Sequence, residues 1–82
     1  MSQLTTKDLQ ILTFIKSFAI KNGYLPTMRE IGKGVNLSST STVYTHFIKL
    51  EHAGYIERID GQIRYRVNGL KYVIERREDD KQ

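Results

Sequence analysis

The chain has 82 residues, 39% of them hydrophobic and 27% charged, and no cysteine. That suits one small folded domain with a modest core and excludes a disordered chain, a disulfide framework and thiolate metal sites. The net charge of +4 permits a polyanionic partner.

The surplus has a place in the chain. From Tyr24 to Arg77, nine Lys or Arg stand against five Asp or Glu. No apolar run is long enough to span a bilayer, and the first apolar stretch is broken by Lys16, Ser17 and Lys21. No basic–apolar–small signal peptide opens the chain. A cytoplasmic protein is expected, with no membrane partner.

The first helix is expected over Thr6 to Asn22. Thr5 and Asp8 have the spacing of a capping box, with Leu4 and Leu9 as its hydrophobic staple. Leu9, Leu12, Ile15 and Ala19 form the apolar stripe, flanked by Ile11, Phe14 and Phe18. Gly23 is the natural stop, and Pro26 cannot prolong the helix. Thr27 with Glu30 is a second capping box, opening a short helix from Met28 to Lys33. Met28, Ile31 and Val35 should face inward, and Arg29 and Lys33 outward. Gly34 and Asn36 should supply the turn, with Leu37 packed beneath it.

Ser38 or Ser39 should cap the third helix, which runs to His52 or Ala53 and ends at Gly54. Val43, Phe47 and Leu50 keep a buried rhythm with His46 at its edge. Ser41, Thr42, Tyr44, Thr45, Ile48 and Lys49 are left facing outward or sideways. The period then changes to two. Tyr55 to Ile59 reads as a strand, Asp60-Gly61 as a hairpin turn, and Gln62 to Val67 as the returning strand. After a second turn at Asn68-Gly69, residues 70–75 read as a third strand or a packing arm. The expected organisation is one domain over residues 1–75 and a charged, frayed tail over 76–82. The expected fold is mainly α with a small β-hairpin: a winged helix-turn-helix of three helices plus a wing.

A helix that opens with Ser38-Ser39-Thr40-Ser41-Thr42 and turns apolar on one face suits a nucleic-acid groove. Small hydroxyl side chains let a backbone approach closely and bond phosphates or base edges. A polar cap alone would use the same residues; the helix-turn-helix in front of them favours DNA.

Leu4-Thr5 and Gly23-Tyr24-Leu25-Pro26-Thr27-Met28-Arg29-Glu30-Ile31-Gly32 lead into the rest of a longer pattern. Leu37, Ser39, Ser41-Thr42-Val43, His46, Leu50-Glu51 and Gly54-Tyr55-Ile56 complete it. Together they resemble the N-terminal DNA-binding domain of the LexA repressor family, in its Gram-positive form, over about Leu4 to Ile63. The resemblance implies a winged helix-turn-helix whose third helix enters the major groove of an operator half-site. It implies base reading by Ser39, Ser41, Thr42, Tyr44 and Thr45. Tyr44 stands where Gram-positive members tend to carry histidine, and Thr45 where they carry glycine, so a different operator is expected. The wing around Gly61 also departs from the family. Those proteins continue into a self-cleaving serine–lysine peptidase domain that dimerises them. This chain is too short for it and is expected to be a stand-alone small regulator or an excised domain. Ala53-Gly54 ends a helix and is not the family's cleavage site.

The expected phosphate and wing contacts are Thr27, Arg29, Lys33, Ser38, Lys49, Gln62 and Arg64, with Arg58 and Arg66 also flanking the wing. Charge on such strands also serves simply to protect an edge. His46 and His52 lack partner ligands, so no metal is expected, and His46 is read as a half-buried packing residue. Tyr65 is read as packing too. No nucleophile–base–orienter set is visible, so neither an enzyme nor a cofactor is expected. The partner is a double-stranded DNA operator in the bacterial nucleoid, with a homodimer on a palindrome and residues 70–75 as its candidate contact. The rival reading is a small winged-helix protein-interaction module, an antirepressor or replication accessory. It draws on Tyr44 and Ile48 on the exposed side.

Overall fold

The computed structural model describes residues 4–59 and 65–70. Three helices, α1 (Thr6–Asn22), α2 (Met28–Gly34) and α3 (Thr40–His52), precede two antiparallel strands, β1 (Ile56–Arg58) and β2 (Tyr65–Val67). Ile56 pairs with Val67, Glu57 with Arg66 and Arg58 with Tyr65. The architecture is a mainly helical winged helix-turn-helix. The Asp60-Gly61 turn, Gln62, Ile63, Arg64, residues 71–75 and the tail 76–82 lie outside the described residues.

Local chemistry sets the helix ends. Both capping boxes form: Thr5 and Thr27 each accept from the backbone of their third helical residue, and Asp8 and Glu30 reach back. Gly23 closes α1 in the left-handed region at φ 86°. At the end of α3, the Gly54 amide donates to the Glu51 carbonyl and the Tyr55 amide to the Leu50 carbonyl. With Gly54 at φ 91°, this is a Schellman motif. The Lys7 ammonium donates to the Val35 carbonyl at 3.1 Å, so a cation from α1 satisfies the end of α2.

The core gathers Ile11, Leu12, Ile15 and Ala19 of α1, Ile31 of α2 and Val43, Phe47 and Leu50 of α3, joined by Leu25, Val35, Ile56, Tyr65 and Val67. Leu9 is not part of it: it is 46% exposed, while Asp8 is 0% exposed. The buried stripe of α1 therefore begins with a carboxylate. The helix is turned toward Asp8 because its partners His46 and Lys49 lie on α3.

Tyr65 pins the hairpin to the helices. Its ring meets Phe47 edge-on at 4.9 Å, and its hydroxyl donates to the Pro26 carbonyl at 2.6 Å. Burial, and then the nearby Glu30, push its phenol well above the ordinary tyrosine range.

The turn between α2 and α3 differs in detail from its expected form. Asn36 supplies the positive φ of 64°. Gly34 is instead the last residue of α2, and a Cβ there would run into the Phe14 ring. Gly32 makes the close approach. Its carbonyl accepts from the Leu37 amide at 2.8 Å, and a Cβ would stand 2.9 Å from the Leu37 carbonyl oxygen and 3.3 Å from Val43. Backbone on one side and core on the other leave little room to yield. Gly32→Ala is expected to destabilise the domain by about 1–3 kcal/mol, read as a melting temperature lower by about 5–15 °C.

Candidate nucleic-acid interface

α3 is buried along Val43, Phe47 and Leu50, and exposed at Thr40, Ser41, Thr42, Tyr44 and Thr45. Ser38 and Ser39 precede it, exposed as well. Ser39 occupies the cap position, but its side chain makes no cap hydrogen bond. Its hydroxyl is thus not spent on its own helix. Thr45 donates its hydroxyl proton to the Ser41 carbonyl at 3.1 Å. What it offers outward is a methyl group and the acceptor side of its oxygen.

Tyr44 projects outward, 38% exposed, but is held from behind. Its ring stacks on Phe47 with centroids 6.3 Å apart and planes at 10°. Arg58 of β1 lies 5.3 Å from its centroid and donates a hydrogen bond to its hydroxyl. Arg58 is itself fixed by Glu51: Nε donates to the carboxylate at 3.2 and 3.3 Å, and a second guanidinium nitrogen lies 3.1 Å from Oε1. Hydrogen bonding to Glu51 raises the Arg58 pKa above its ordinary value.

Of the expected phosphate contacts, Arg29 and Lys33 are exposed on α2 and Thr27 is half-buried at its cap. Gln62 and Arg64 lie outside the described residues. Lys49 departs from its expected outward position. It is half-buried and reaches back to Asp8 Oδ2 at 3.0 Å, because the buried carboxylate offers a stronger partner than water.

Asp8 is the hub behind the helix. Oδ2 also accepts from the Thr5 amide at 2.7 Å, and Oδ1 lies 2.5 Å from His46 Nδ1. A carboxylate only accepts, so Nδ1 carries the proton of this bond. Burial pushes the Asp8 carboxyl up, but hydrogen bonds from the Thr5 backbone, His46 and Lys49 outweigh it and hold the group well below the ordinary carboxylate range. His46, expected only to pack, is thus a hydrogen-bond partner of the buried carboxylate. Asp8, Glu51 and Arg58 were missed as support residues. The available signal for the first was a carboxylate on the apolar stripe of α1, three residues before Ile11.

Residues 1–65 match the family model for the LexA DNA-binding domain. The chain belongs to that family. Among its relatives, the LexA repressor of Finegoldia magna is 49% identical over 55 residues, which cover 67% of this chain and 26% of that protein. The LexA repressor of Shouchella clausii is 48% identical over 58 residues, covering 71% and 28%. That of Carboxydothermus hydrogenoformans is 49% identical over 57 residues, covering 70% and 28%. The chain thus spans about a quarter of the length of these LexA repressors. Among the described residues, no helix is long and apolar enough to cross a membrane.

The LexA-type helix-turn-helix depends here on Asp8, which gives a pH test. Its folded pKa is depressed, so its contribution is complete above the unfolded value near 4 and is lost as pH falls toward the folded value. Asp8→Asn is expected to cost about 2–3 kcal/mol at neutral pH. In denaturant titrations the gap between wild type and variant should narrow steadily as pH falls below about 4.

Proposed function

We propose that this protein is a sequence-specific double-stranded DNA-binding transcriptional repressor that lays α3 in the major groove of an operator half-site. The observation that carries the reading is the outward face of α3. Ser39, Ser41, Thr42, Tyr44 and Thr45 are exposed together there, on a helix fixed from behind by Asp8 and Phe47. Membership of the LexA DNA-binding domain family supports it.

In this reading the serine and threonine hydroxyls take base-edge hydrogen bonds, and the Thr45 methyl meets a thymine methyl. Ser38, Thr27, Arg29 and Lys33 contact phosphates, and Gln62 and Arg64 contact DNA from the wing. Lys49 joins them only by leaving Asp8. One module binds weakly, so two copies occupy a palindrome. Leu70, at the start of the candidate dimer segment, packs against its own core. The site of action is the bacterial nucleoid.

Two outcomes test the reading. Ser41→Glu places a carboxylate against phosphate and base edges and should abolish operator binding in a mobility-shift assay while leaving the melting temperature within about 2 °C. Undiminished binding by this variant would overturn the placement of α3. For wild type, log K against log salt should fall with a slope of roughly −3 to −4 per domain, the value for three or four neutralised phosphates. A flat salt dependence would instead favour a protein partner.

A further inference from the structure

Tyr44 presents an asymmetric hydroxyl to anything that approaches α3. Arg58 donates to its oxygen, and the guanidinium carbon lies 5.3 Å from the ring centroid. Glu51 holds Arg58 through Nε and a terminal nitrogen. A phenol oxygen that accepts from a cation is a weaker acceptor for a second partner, and its own O–H is a better donor. The nearby positive charge also opposes any incoming amino group. The stack on Phe47 leaves the ring little freedom to turn away.

We propose that Arg58 is a specificity-determining positioning residue, which with Glu51 holds Tyr44 at the groove as a hydrogen-bond donor. The inference rests on the reading of α3 as the base-contacting helix. In the major groove, guanine, adenine and thymine each present an acceptor, whereas cytosine presents its N4 amino donor. Tyr44 therefore rejects cytosine at the base it faces. Arg58 acts through Tyr44 and contributes no phosphate contact, because its guanidinium is engaged by Glu51 and the phenol.

The test is selection of bound duplexes from a randomised pool by wild type, Tyr44→Phe, Arg58→Met and the double variant, with affinity for a motif-free duplex measured alongside. Wild type should disfavour cytosine at one half-site position by about three- to tenfold, the worth of one hydrogen bond. Tyr44→Phe and Arg58→Met should each relax that position and no other. The double variant should relax it no further, since both changes remove one interaction. Arg58→Met also removes a positive charge beside Glu51, so its affinity for the motif-free duplex is the baseline against which its cytosine bias is read. If Arg58→Met keeps the cytosine bias, the positioning role is overturned. If Tyr44→Phe keeps it, Tyr44 is not the reader. Glu51→Gln guards against a poorly folded Arg58 variant: it should relax the same position in part, and an unchanged motif would count against the inference. A wild type that enriches no sequence would bring down the base-contacting role of α3 as well. A retained wild-type motif with unresponsive variants would bring down this inference alone.

Discussion

A single buried carboxylate sets the position of the helix that faces solvent with its hydroxyls. Asp8 is withdrawn from water on α1 and takes the Thr5 amide, His46 and Lys49 as partners. A buried charge is costly unless its partners satisfy it. Here one oxygen is shared between a helix cap and an ammonium, and the other meets an imidazole. The same group thus caps the start of α1 and fixes the middle of α3. Hydrophobic contacts between the two helices would tolerate small slides and rotations. A charge with three directional partners selects one arrangement, and with it which side chains of α3 face outward.

The hairpin supplies a second tie. Tyr65 packs its edge on Phe47 and hydrogen-bonds the Pro26 carbonyl, so β2, α3 and the approach to α2 meet in one residue. β1 then brings Arg58 beside Tyr44. The order of dependence runs from core to surface: Tyr65 places the sheet, the sheet places Arg58, and Arg58 with Phe47 places the Tyr44 ring. A site built in this way is held by packed elements rather than by the loops between them.

Charge is distributed to match. Lys49, an expected phosphate contact, and Arg58, which flanks the wing, are engaged within the protein by Asp8 and Glu51. Arg29 and Lys33 stay exposed on α2. Non-specific attraction to a polyanion and the shaping of the reading face are thereby assigned to different cations.

Much of this was legible in the chain itself, and for local reasons. Capping boxes, Gly23 and Gly54 act within one turn of their own residues, so helix boundaries follow from neighbours in sequence. The change of period from 3.6 to 2 marks the strands, and the order of elements leaves one sensible architecture. The outward serines and threonines of α3 follow from the same periodicity. The relations between residues far apart in the chain come from the packed fold alone. Asp8 and His46 are 38 positions apart, as are Tyr65 and Pro26 at 39 and Arg58 and Tyr44 at 14. Asp8 displaced Leu9 from the core side of α1; the stripe of α1 could mark the carboxylate but not name its partners, which lie on another helix. Lys49 turned inward for the same reason. Periodicity tells which face of an element is apolar; only the packed structure tells which charge waits on the other side of the contact.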